Sequence, residues 1–503
     1  MKQEVFSFDP DPESSGLKAR TLAGVAITIC GQAIRFSITL GGSILLARIL
    51  DPEDFGLIKM VAVASAFVAV FRDGGLSAAT IQKSAIEHKE VSTLFWINLA
   101  LGFLLSLVAA ALSPLVAWYY GNPDLLPISL ALAGSFFVGA FGVQHTAILY
   151  RKMKFKQLAI VDIVTMVGAL GTGVVFALSG AGYWSLVAMN LANPLMAAII
   201  PWFLVRWHPS RPSSLRSVKE SLKFGGGISL HGFISALGAN FDTLIIGRMY
   251  GAQAAGIYDR AYQLLMMPLQ RVLPVMTSVG LPAFSRLATM PEKHSRAVIQ
   301  VLGLLGLGSS LLGSILYISS DWLVLTLYGK KWIEAVPIFQ MFAITVFTMP
   351  TGTFANLVIT SLGKSNLLVV WGLVNSLVIM VAVAIGANWG PVGVAAGISL
   401  SSLFVRLPAV CWFIARAGGA PAGAIYRVVF SLFAVYLMSV VFLWWFRRSF
   451  LEGIHGVAGM VIIAGLALLI HGCIVLLNPI GRHYLGISLK YLVGKIKQFS
   501  GSS

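Results

Sequence analysis

The chain has 503 residues, of which 57% are hydrophobic and 11% are charged, and its mean hydropathy is +0.85. A soluble core cannot absorb so much apolar surface, so the composition excludes a soluble protein and predicts an integral membrane protein. The formal net charge of +17 comes from short basic clusters between apolar segments, a pattern typical of cytoplasmic loops that argues against nucleic-acid binding.

Apolar runs long enough to cross a bilayer recur along the whole chain between polar breaks. Because open sheet cannot span lipid, these runs predict an all-α polytopic membrane protein. We expect about fourteen spans of roughly 20 residues. They centre near residues 35, 68, 104, 138, 168, 194, 235, 267, 307, 349, 376, 403, 434 and 466.

The polar links predict how these spans are grouped. The longest link, residues 209–224, is rich in proline, serine and basic residues and separates two sets of spans. The predicted parts are a cytoplasmic N-terminal tail (1–20), a six-helix N-lobe (21–208), a cytoplasmic linker (209–224), a six-helix C-lobe (225–417), a final helix pair (418–480) and an amphipathic cytoplasmic tail (481–503).

Basic residues are concentrated in alternate links, which places both termini in the cytoplasm. The loops around Gly121, Gly180 and Ala387 carry almost none and are expected outside. Two basic pairs, Lys330–Lys331 and Arg447–Arg448, also fall outside in this arrangement and oppose it.

An internal repeat relates the two lobes. At a constant offset of 200, residues 45–48 match residues 245–248, and residues 55–57 match residues 255–257. Both stretches join a first span to a second, so the repeat predicts two related halves, as in many transporters.

The first apolar segment, residues 21–49, carries an arginine at its centre. A polar stripe follows one helix face through Thr28, Gln32, Arg35 and Thr39. A charge at mid-membrane is costly, so Arg35 should face the protein interior or a water-filled cavity. Two interpretations stay open here, a residue that contacts an anion in a cavity and a structural arginine paired with a carboxylate.

Other ionisable residues fall in the opening pair of spans of each half, and we expect them to meet between the halves, where transporters place substrate. The candidate substrate contacts are Arg35, Gln32, Arg72, Arg271 and Gln270. The candidate ion-coupling acids are Asp242, Asp259 and Asp73. Neighbouring Arg72 and Asp73 carry opposite charges and can instead neutralise each other, and Asp242 suits either Arg35 or a coupling cation. Asp162 is interpreted as a local partner of the basic segment 151–156.

No catalytic constellation accompanies these charges. The sequence has no HExxH, GxSxG or Walker motif in a suitable context, and its eight histidines are dispersed. We therefore expect a transporter rather than an enzyme, with no metal and no cofactor beyond a coupling proton or sodium ion.

Several motifs resemble those of one known family. They are Ala47-Arg-Ile-Leu-Asp-Pro-Glu-Asp-Phe-Gly56, Phe71-Arg-Asp-Gly-Gly-Leu76, Gly182-Tyr-Trp-Ser-Leu186, Asp242-Thr-Leu-Ile-Ile-Gly-Arg248 and Gly256-Ile-Tyr-Asp-Arg-Ala-Tyr262. Their order resembles the polysaccharide transporter family, in particular the Wzx-type exopolysaccharide and O-antigen flippases. That family belongs to the multidrug/oligosaccharidyl-lipid/polysaccharide exporter superfamily.

The resemblance implies a flippase of the bacterial inner membrane with two six-helix lobes around a central cavity. Its substrate would be an undecaprenyl-diphosphate-linked oligosaccharide, moved by alternating access for exopolysaccharide, O-antigen or capsule synthesis. The implied partners are this substrate, membrane lipids, and the polysaccharide polymerase and co-polymerase.

Three other functions stay open. A lipid II flippase and a cation-coupled drug exporter belong to the same superfamily, and a membrane glycan polymerase represents another class. A drug exporter should have an anionic cavity, whereas Arg35, Arg72 and Arg271 supply cations. A polymerase should carry a large outer loop, and the sequence has none of that length.

The topology is testable by cysteine labelling in intact cells. In a background lacking the native cysteines, a cysteine at Arg211 should resist an impermeant maleimide, because the basic link is cytoplasmic. Ser179→Cys, in a loop expected outside, should react and serves as the control. Labelling of position 211 from outside, in a protein of normal abundance, would contradict this topology.

Overall fold

The computed structural model describes residues 17–72, 80–81, 86–212, 219–454 and 456–486. Within these residues, the side chains of 17–30, 32–33, 219–235, 271–272 and 274–275 are not described. All the regular elements of the described part are helices, which confirms the all-α fold class.

Backbone contacts divide the chain into two compact units, Met1–Asp259 and Arg260–Ser503. The helices that begin in the first unit are α1 (Leu17–Ile49), α2 (Pro52–Ala69), α3 (His88–Tyr120), α4 (Leu125–Arg151), α5 (Phe155–Leu178), α6 (Trp184–Val205) and α7 (Lys219–Leu287). α7 is broken at Gly251, and the boundary between the units falls within its second arm, residues 252–287.

The turn between α1 and α2 is fixed by its own sequence. Asp51 is the N-cap of α2 in an extended conformation, and Pro52 occupies a position in the first turn where a missing N–H costs nothing. The Asp54 carboxylate accepts a hydrogen bond from the Asp51 backbone N–H at 2.9 Å, which completes a capping box. The chain therefore reverses sharply here.

A second break occurs 200 residues later. Gly251 has φ +81° and ψ −176°, a backbone conformation that favours glycine. It occupies the position that matches Asp51, so the offset seen in the sequence recurs in the backbone. Each repeat consists of a helix, a sharp break and a second helix.

The two second helices of the repeats touch through a reciprocal pair of glycines. A methyl group added to Gly56 would lie 1.7 Å from the backbone oxygen of Ala252, and one added to Gly256 would lie 1.8 Å from that of Pro52. Pro52 and Ala252 also match at the offset of 200. Such close helix approach is possible only for residues without a side chain.

The second unit contains the remaining helices. They are α8 (Pro291–Ile318), α9 (Ser320–Leu327), α10 (Ala335–Ala343), α11 (Thr345–Ser361), α12 (Ser365–Gly386), α13 (Gly390–Ser401), α14 (Leu407–Arg416), α15 (Ala422–Phe450) and α16 (Gly456–Leu477). α10 and α11 form one helix bent by 47°, and a π-helical turn, Ser402–Arg406, joins α13 to α14. A large hydrophobic core of the second unit lies among α8, α11, α14 and α15 and includes Phe354, Ile414 and Leu432.

Eight helices of the described chain are long and apolar enough to cross a membrane, or nine when the bent pair counts as one span. This order of helices is compatible with the predicted fourteen spans. Residues 1–16 of the predicted N-terminal tail, residues 213–218 of the predicted linker and the predicted tail beyond residue 486 lie outside the described residues.

One arginine of a basic pair that opposed the topology forms an ion pair within the protein. The Arg447 guanidinium binds both carboxylate oxygens of Asp321, with Nη1 2.9 Å from Oδ1, and its Cζ lies 4.0 Å from the centre of the Trp322 ring. Arg447 therefore adds no net charge to its side of the protein, because Asp321 neutralises it.

The glycine contact predicts a specific loss of stability. Gly56→Ala and Gly256→Ala should each lower the melting temperature of the purified protein, because the new methyl group meets backbone atoms that cannot move aside alone. Gly134→Ala in α4 is the control, since no atom lies within 4 Å of its added methyl group and alanine favours the helix. Equal melting temperatures for all three variants would contradict the close contact.

Candidate functional site

Arg35 forms an ion pair with Asp162 of α5. The side chains of Arg35 and Asp162 are 26% and 46% exposed, so the pair is only partly buried. One turn further along α1, the Thr39 hydroxyl donates to the Arg35 carbonyl at 2.7 Å and lies 3.3 Å from the Met166 sulfur. The described part of the polar stripe on α1 therefore faces α5.

This pairing corrects two interpretations of the sequence. Asp162 pairs with Arg35 rather than with the basic segment 151–156, and the carboxylate partner of Arg35 is Asp162 rather than Asp242. The two helices run in the same direction, since residues 35, 39 and 42 of α1 meet residues 162, 166 and 170 of α5 in order. Such a pairing depends on tertiary packing that the spacing within α1 does not reveal.

The ion pair leaves part of the guanidinium available. An arginine side chain has five N–H donors in a planar fork, and Asp162 takes a bond from only one of the terminal nitrogens. The Arg35 Nε atom is buried and has no hydrogen-bond partner among the described residues. A structural ion pair and a contact with an anion are therefore compatible at this arginine.

A second charged cluster joins α2 to α7. The Lys59 ammonium lies 3.0 Å from Oδ1 of Asp259, whose side chain is only 4% exposed. Asp242 accepts a hydrogen bond from the Tyr258 hydroxyl at 2.8 Å and another from the Thr243 backbone N–H at 2.7 Å. Lys59 also interacts electrostatically with Asp242, so Asp242 and Asp259, both predicted from the sequence, lie around one lysine.

Lys59 was not among the residues singled out from the sequence. The signal was present, because Lys59 is the residue that matches Asp259 at the offset of 200. Two residues that match across a two-fold repeat can meet on its axis, and here they carry opposite charges. Opposite charges at matching positions of the two repeats therefore predict an ion pair.

For the other predicted site residues, the structure gives the exposure of two side chains and no side-chain contacts. Arg72 is exposed just beyond the end of α2, and Gln270 is exposed on the second arm of α7. The side chains of Gln32 and Arg271, and the whole of Asp73, lie outside the described residues. Their proposed roles stay predictions. The part of the chain that the structure describes contains no group of three or more His, Cys, Asp or Glu residues placed to hold a metal ion.

The Lys59–Asp259 pair predicts a stability defect with a specific rescue. Lys59→Met should destabilise the protein by about 3 kcal/mol, because it would leave the buried Asp259 carboxylate without its cationic partner. The double variant Lys59→Met with Asp259→Leu should recover most of the loss in a thermal melt of the detergent-solubilised protein. The control is Lys364→Met, at an exposed position. Equal melting temperatures for Lys59→Met and Lys364→Met would refute the pairing.

Comparison with known proteins identifies relatives over most of the chain. A family model described as polysaccharide biosynthesis protein matches residues 45–337. The lipopolysaccharide biosynthesis protein WzxC of Escherichia coli (strain K12) is 26% identical over 399 residues, 78% of this chain and 79% of that protein. The succinoglycan biosynthesis transport protein ExoT of Rhizobium meliloti (strain 1021) is 27% identical over 382 residues, 75% of this chain and 76% of that protein.

Solved structures share the fold. The lipid II flippase MurJ in an inward closed conformation matches with a TM-score of 0.68 at 12% identity, over 90% of this chain and 99% of that one. An inward-facing multidrug resistance MATE family transporter matches with a TM-score of 0.58 at 15% identity, over 79% and 96% of the two chains. At such low sequence identity, these matches show a shared fold and nothing about function. Since the family model covers more than half of its length, the chain belongs to the polysaccharide biosynthesis protein family.

Proposed function

We propose that the protein is a flippase that moves an undecaprenyl-diphosphate-linked oligosaccharide across the bacterial inner membrane for polysaccharide synthesis. Family membership supports this role, as do the name of a relative that is a transport protein of succinoglycan biosynthesis and a fold shared with a lipid II flippase. The observation that carries the proposal is a partly buried arginine at the centre of an apolar span, with guanidinium donors left over from its ion pair.

Arg35 is suited to the charged part of such a substrate. A diphosphate that leaves the lipid headgroup region loses much of its hydration, and a planar guanidinium replaces part of it with paired, charge-assisted hydrogen bonds. Asp162 holds the guanidinium against α5 and offsets its charge. A partly neutralised arginine binds an anion less tightly, which allows the substrate to leave after it has crossed.

The repeat supplies the elements that would move. In the proposed topology, the breaks at Asp51 and Gly251 lie on the periplasmic side, so the glycine contact between α2 and α7 closes that side. Separation of these helices would open a path to the outer leaflet. Lys59, Asp242 and Asp259 lie on the same helices, and protonation of either carboxylate would weaken the network that holds them.

The coupling ion in this proposal is a proton, with sodium as the alternative. The polymerase and co-polymerase are proposed as partners that receive the exported repeat unit. Both termini are proposed to lie in the cytoplasm. The matches to MurJ and to the MATE transporter do not favour lipid II or a drug as the substrate, because each concerns the fold alone.

The function and the role of Arg35 can be tested together in the native bacterium with the gene deleted. The deletion strain should accumulate lipid-linked oligosaccharide and lose surface polysaccharide, and the wild-type chain should restore export. Arg35→Lys should retain part of the export, because the charge remains without the fork, whereas Arg35→Gln should lose about tenfold or more.

Arg286→Gln, at an exposed end of α7, is the matched control and should export normally. Membrane abundance is measured for every variant, so that loss of transport is separated from loss of protein. Wild-type export by Arg35→Gln would remove the substrate role of this arginine. Failure of the wild-type chain itself to restore export would remove the proposed function.

A further inference from the structure

A polar pocket of about 170 Å³ lies within the second unit. It is formed by α11, α12 and the helix that runs from α13 through the π-helical turn into α14. Among its lining residues are Thr353, Asn356, Trp371, Asn375, Ser402 and Arg406. The pocket is large enough for several water molecules, each of which takes about 30 Å³, or for one group of the size of a sugar ring.

The π-helical turn explains how a charge comes to line this pocket. Residues Ser402–Arg406 form a π-helix between two α-helices, a rare insertion that is frequently found at functional sites. Pro408 follows within the first turn of α14, and it has no N–H to bond to the preceding turn. The helix is therefore widened here, and Arg406 lies against α12.

Arg406 lies near the middle of a predicted span, which centres near residue 403. It precedes Arg416, the last residue of α14, by ten residues, which is about 15 Å of helix and about half of a 30 Å hydrocarbon core. Its Nε donates to the Asn375 side-chain oxygen at 2.8 Å. No carboxylate forms an ion pair with Arg406 among the residues that the structure describes.

The sequence of the second unit offers no acid at this depth. Its four acidic residues are Glu292, Asp321, Glu334 and Glu452. Each lies in the first turn of a helix, just before a helix or just after one. Arg406 therefore lines the pocket with a neutral amide as its partner, and its two terminal nitrogens form no hydrogen bond with the residues that the structure describes.

The neighbours of Arg406 suit a sugar that carries this anion. Trp371 provides a flat apolar surface and is itself packed against Phe413, with ring centres 5.3 Å apart. Asn356 and Thr353 add an amide and a hydroxyl that can bond to sugar hydroxyls. Apolar side chains together with a few convergent polar groups and one charge are the usual character of a small-molecule site.

We propose that this pocket binds an oxyanion carried by the lipid-linked saccharide, with Arg406 as the anion-binding residue and Asn375 as the residue that positions it. The inference rests on the proposed function and names a second contact point for the same substrate. The oxyanion is the carboxylate of an acidic sugar or the phosphate of the carrier. Both present paired oxygen atoms to a guanidinium.

Binding to the full-length protein in nanodiscs tests the pocket directly. Saturation-transfer NMR would use three probes, namely glucuronate, glucose as its neutral counterpart, and farnesyl diphosphate. We expect Arg406→Gln to weaken the binding of glucuronate or of farnesyl diphosphate by about tenfold or more, whichever anion the pocket takes. Arg416→Gln, at an exposed position of the same helix, should bind all three probes like the wild type.

Asn375→Asp provides a second variant that does not depend on removing the charge. The new carboxylate would lie beside Arg406 and occupy its donors, so oxyanion binding should fall while the melting temperature stays the same or rises. Loss of glucuronate binding in both variants identifies an acidic sugar, and loss of farnesyl diphosphate binding identifies the carrier phosphate. Unchanged binding of both anions in both variants would overturn the inference.

Export in the deletion strain separates this inference from the proposed function. The wild-type chain should restore export, whereas Arg406→Gln and Asn375→Asp should export less than Arg416→Gln at equal abundance. If all the variants export like the wild type, the pocket has no part in transport and the proposed function stands. If the wild-type chain does not restore export, the proposed function fails whatever the binding results.

Discussion

A charged side chain within a bilayer must be compensated by the protein, and the organisation of this chain follows from that constraint. Arg35 on α1 is compensated by Asp162 on α5, and Lys59 on α2 by Asp259 on α7. Among the described residues, Arg406 bonds to the Asn375 amide and forms no ion pair. Each of the first two pairs links helices far apart in sequence, so these ion pairs connect separate helices of the first unit.

The repeat gives these charges their arrangement. Positions 51 and 251 break the helices, positions 56 and 256 bring the following helices into backbone contact, and positions 59 and 259 form an ion pair. Glycine permits the approach, and the approach brings Lys59 within reach of Asp259. The Lys59–Asp259 ion pair then links the same two helices.

The fold class and the order of spans followed from hydropathy, since bilayer thickness fixes the length of an apolar run. The polar face of α1 also followed, because Arg35 and Thr39 are one helical turn apart. The partners did not follow. Asp162 is 127 residues from Arg35, and only packing of α1 along α5 brings them together. Lys59 could have been found from the offset of 200, but it lies outside the apolar centre of its span.

The central claim is that this chain moves a lipid-linked oligosaccharide between leaflets, and reconstitution tests it most directly. The purified protein would be placed in vesicles that carry undecaprenyl-diphosphate-linked oligosaccharide only on the inner leaflet. The fraction of saccharide reached by a lectin added outside would be measured over time, with and without an imposed proton gradient. The account predicts that the protein increases this fraction well above that of protein-free vesicles and that the gradient accelerates the increase. A fraction equal to that of protein-free vesicles, with the protein folded and inserted, would contradict it.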